Sequence, residues 1–97
     1  MTDMSDEQRD KPFYDMADAY IALANTQLNE AKPSRVSAAA LFAASRFNAF
    51  LIATASESKE QMISEKEAAI AYFLDQYEKM LRENIDEHLA RFDPPGA

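Results

Sequence analysis

Val36 to Ala55 reads VSAAALFAASRFNAFLIATA: twenty residues with no glycine, no proline and one charge, Arg46. A segment this apolar is a poor fit to a single solvated face, since a surface helix carries polar residues on its outer side. It needs cover on more than one side, and so constrains everything packed around it. The same length would span a bilayer. Arg46 argues against that, because a charge near the bilayer centre costs about 2.5–3.5 kcal/mol even on the mildest scale. The reading is therefore a water-soluble helix and no membrane.

Periodicity extends the helical reading to the whole chain. Phe13, Met16, Ala17, Tyr20, Ala24 and Leu28 recur every three or four residues and predict a first helix from about Pro12 to Asn29. Asp10 is the expected N-cap, with Pro12 tolerated in the first turn. Pro33 breaks the pattern at Glu30–Pro33, and Ser34 is placed to cap a second helix from about Arg35 to Glu57. Val36, Ala40, Ala43, Phe47, Phe50, Leu51 and Thr54 form its main apolar face. A second patch of Leu41, Phe42 and Ile52 lies away from that face, and the many alanines should let neighbouring helices approach closely.

The third helix carries the longest stripe, including Ile63, Ile70, Leu74, Tyr77, Leu81 and Ile85, and ends before Asp93-Pro94-Pro95-Gly96. Two starts compete, one near Lys59 and one at the capping-box pattern Ser64-Glu65-Lys66-Glu67. Asp75–Lys79, Glu78–Arg82 and Glu87–Arg91 are spaced as ion pairs on a solvated outer face. At about 1.5 Å per residue the three helices would run about 27, 35 and 50 Å. The third is too long to bury its stripe on the other two. It must kink near Ser64 or meet another copy or a partner.

The only glycine is Gly96, so no internal glycine-bearing turn joins strands. The fold expected is all-α, a three-helix up-down-up bundle with the second helix between the others, a long third helix and flexible termini. Residues 1–10 should be a disordered acidic arm, 11–92 a single domain, and 93–97 a flexible tail.

Composition excludes several functions. There is no cysteine, hence no disulfide, thiolate nucleophile or thiolate metal site. The first ten residues lack a basic region followed by an apolar run, so they do not read as a signal peptide, and a cytoplasmic location is expected. The net charge of −7 repels nucleic acid and anionic lipid. His88 is the only histidine. Di-metal bundles place a glutamate three residues before the histidine, but here that position is Ile85. His88 is expected to bond Asn84 or a backbone carbonyl. Glu83, Asp86 and Glu87 read as a hydrated face. There is no phosphate-cradling loop and no nucleophile elbow. No metal, cofactor or catalytic residue is expected, and the chain reads as a non-enzyme.

Arg46 and Asn48 are the strongly polar interruptions of the second helix. Arg46 should pair with a carboxylate such as Asp18, Asp75 or Glu78, or else bind an anion. The leading functional expectation is a protein–protein interaction module, self-associating as a homodimer through surplus apolar surface that includes Leu41 and Ile52. A second is a small-molecule site for an anion near Arg46, Asn48 and Tyr77. A third is an acidic partner for a basic protein.

Three runs carry a resemblance: Phe13–Ile21 (FYDMADAYI), Ala43–Phe50 (AASRFNAF) and Ala69–Asn84 (AIAYFLDQYEKMLREN). They resemble a family of small bacterial helical proteins labelled domain of unknown function 3144, over roughly residues 12–92. RFNAF and YFLDQY are its more specific parts. The resemblance implies a small cytosolic helical protein and supplies no activity, cofactor or site residue.

Overall fold

The computed structural model describes residues 10–92. The described chain is all-α and consists of α1 (Lys11–Gln27), α2 (Pro33–Ala55) and α3 (Lys59–Arg91). The terminal segments expected to be a loose arm and tail, 1–10 and 93–97, lie outside the described residues apart from Asp10, as does the stop signal Asp93–Gly96.

The helix boundaries follow from local chemistry. Asp10 occupies the N-cap position of α1, but its carboxylate makes no capping bond. Its carbonyl accepts from the Tyr14 N–H at 3.1 Å, and Lys11 pairs with Asp15 one turn on at 3.0 Å. At the far end the Gln27 carbonyl accepts from the N–H groups of Glu30 and Ala31, which turns the chain. Pro33 is the first residue of α2, earlier than the expected start at Arg35. Its missing N–H is one of the donors that a first turn leaves unpaired, so the helix loses nothing there. The N–H groups of Arg35 and Val36 reach back to the Lys32 carbonyl, and Ser34 lies inside the helix.

The start of α3 is at Lys59, which decides between the two expected sites. Ser58 is its N-cap, in extended backbone, and the Ser58 hydroxyl accepts from the Gln61 N–H. Ser64 is interior to α3, where its hydroxyl donates to the Gln61 carbonyl at 2.9 Å. The ion pairs expected on α3 all form: Asp75–Lys79, Glu78–Arg82 and Glu87–Arg91. Phe92 ends the helix in extended backbone.

The chain divides into two compact units, Met1–Ala49 and Phe50–Ala97, with the divide inside α2. The first holds α1, the turn at 28–32 and most of α2. The second holds the rest of α2, the turn at 56–58 and α3.

The expectation that α2 is enclosed by the chain's own helices is not met. Val36, 7% exposed, is the one buried residue among those described. Leu41 is 50% exposed and Phe42 63%, and Phe47, Phe50 and Leu51 are exposed as well. The physical reason lies in the alanines. A methyl group projects too little to fill the space to a neighbouring helix, so a face built on Ala39, Ala40, Ala43 and Ala44 buries little.

Candidate functional site

The first unit contains a groove of about 570 Å³ between α1 and α2. Tyr20, Leu23, Ala24 and Gln27 line it from α1. These positions recur at three- and four-residue spacing, so the helical period places them on one face. Ala39, Ala40, Ala43 and Ala44 form the α2 wall, continued by Phe47 and Asn48. The five-residue connection at 28–32 brings the two helices alongside each other, as short helix–helix connections do. The close helix approach expected from the alanines is replaced by this groove. The small side chains leave room and nothing within the unit fills it.

The chemistry of the lining is mostly apolar. Its polar groups are the amides of Gln27 and Asn48 and the Tyr20 phenol. It contains no carboxylate, imidazole or amine. Asn48 is half-buried, so its amide is the polar group best placed to orient an occupant.

The residues expected to form a site are divided between the two units. Leu41, Arg46 and Asn48 belong to the first unit, and Ile52 and Tyr77 to the second. Of the five, only Asn48 lines the groove. Leu41 is exposed on α2, and Ile52 is half-buried. Tyr77, 44% exposed, lies on α3. Arg46 is exposed and makes no ion pair among the described residues. Asp75 and Glu78, two of its expected partners, pair with Lys79 and Arg82 instead. The local reason is spacing: each carboxylate finds a cation one turn away on its own helix. His88 does not receive the expected bond from Asn84, whose amide donates to the Met80 carbonyl at 2.9 Å.

One electrostatic perturbation is resolved. The Arg82 guanidinium is held above its ordinary value, first by its hydrogen bond to Glu78 and then by the charge of Glu78. Both groups are exposed, so this marks a surface pair and no site. No group of three or more metal-ligating side chains converges among the described residues.

The groove lining itself was not singled out from the sequence. The signal available was the pairing Ala39-Ala40 and Ala43-Ala44, four apart on α2, opposite Tyr20 and Ala24 on α1. Small residues facing a large one at regular spacing mark a trough with a raised rim.

Fold and groove together define a small all-α protein with an apolar helical trough and extensive exposed apolar surface. The chain belongs to the family described as protein of unknown function DUF3144, whose profile matches residues 13–89. No curated protein and no solved structure matches the chain.

Proposed function

We propose that this is a non-enzymatic cytoplasmic protein that works through protein–protein contacts and associates with itself through its helix faces. The observation that carries the reading is the imbalance between Val36, the one buried residue among those described, and the many large apolar side chains left exposed on all three helices. Covering a Leu, Ile or Phe removes it from water at a gain of roughly 1.5–3 kcal/mol when burial is complete. Exposed apolar surface on this scale usually marks a contact surface.

An anionic small-molecule site is the second reading. It is supported by Arg46, which has no carboxylate partner among the described residues, and by Asn48 in the groove wall. The groove lining favours an apolar occupant, which places this reading behind the first. A bilayer is the competing destination for α2, the one helix among the described residues long and apolar enough to cross a membrane. Arg46 near its middle weighs against that.

Sedimentation velocity with light scattering, over a hundredfold range of concentration, tests the proposal. A mass at least twice 10.9 kDa is expected. A monomer throughout that range, or a chain recovered only with membranes, would remove the reading.

A further inference from the structure

We draw no further inference here: the strongest candidate, the open apolar groove between α1 and α2 walled by Ala39, Ala40, Ala43 and Ala44, carries nothing because nothing in the structure shows what covers it.

Discussion

The hydroxyl of Ser58 accepts a hydrogen bond from the Gln61 backbone N–H at 3.0 Å, while the Gln61 side-chain oxygen accepts from the Glu57 N–H at 2.6 Å. The two side chains thus satisfy each other's end of the turn and fix where the longest helix begins. This is a capping box displaced by one residue, because the returning bond lands on the residue before the cap.

Ser58→Ala should therefore destabilise the protein by about 1 kcal/mol, the usual cost of an N-cap hydroxyl. In a chain of this size that lowers the melting midpoint by roughly 4–8 °C. Ser64→Ala should stay within about 0.5 kcal/mol, as a substitution inside an exposed helix. Thermal unfolding of the pair at one concentration checks this. A larger effect at Ser64 would move the helix start there.

Val36→Ala should cost about 1.5 kcal/mol, for the two carbons removed from a buried site. Leu41→Ala should cost less at low concentration, where half of that side chain is in water. If Leu41 is covered on association, the gap between wild type and Leu41→Ala widens with concentration, because binding adds to apparent stability. Melting curves at two concentrations a hundredfold apart measure it.

Arg46→Gln should leave stability unchanged within about 0.5 kcal/mol, since no carboxylate partner among the described residues is lost. Calorimetric titration of the wild type with orthophosphate or citrate provides the other half of the test. Heat of binding present in the wild type and absent in Arg46→Gln would promote the small-anion reading over self-association.

Ala43→Trp should fill the groove from within. The expected outcome is self-association weakened, with helicity retained, because an occluded trough no longer admits an apolar occupant. Sedimentation of the variant decides it. An unchanged association constant would place the contact elsewhere on the molecule.

The Glu78–Arg82 pair should leave the pH dependence flat across neutrality. Arg82 is raised above its ordinary value, so its contribution is fully present below the unfolded value. It is lost only as pH climbs through the still higher folded one, far into alkali. Melting midpoints of wild type and Glu78→Gln should differ by the same small amount from pH 7 to pH 9. That difference should shrink in 0.5 M salt, as screening of an exposed pair requires.

What the chain announced in advance was its helices. Three- and four-residue spacing marks each stripe, and Pro33 marks the one break that a helix cannot cross. The ion pairs of α3 were readable because both partners sit on the same helix at fixed separation. The groove was not readable, and neither was the exposure of Phe42 or Leu51. Periodicity reveals which side of a helix is apolar but not what stands opposite it or how near. Alanine makes this worse, since its methyl group suits both tight packing and an unfilled gap. Arg46 shows the same limit: a buried helix implied a carboxylate neighbour, whereas the exposed helix needs none.

The divide between the two compact units falls between Ala49 and Phe50, in mid-helix. No scissile linker separates the halves, so expressing either one alone would sever α2 and expose a raw end where continuous hydrogen bonding ran before. Dissection of this protein must proceed by point substitution in the intact polypeptide, because truncation would damage the very element both halves share.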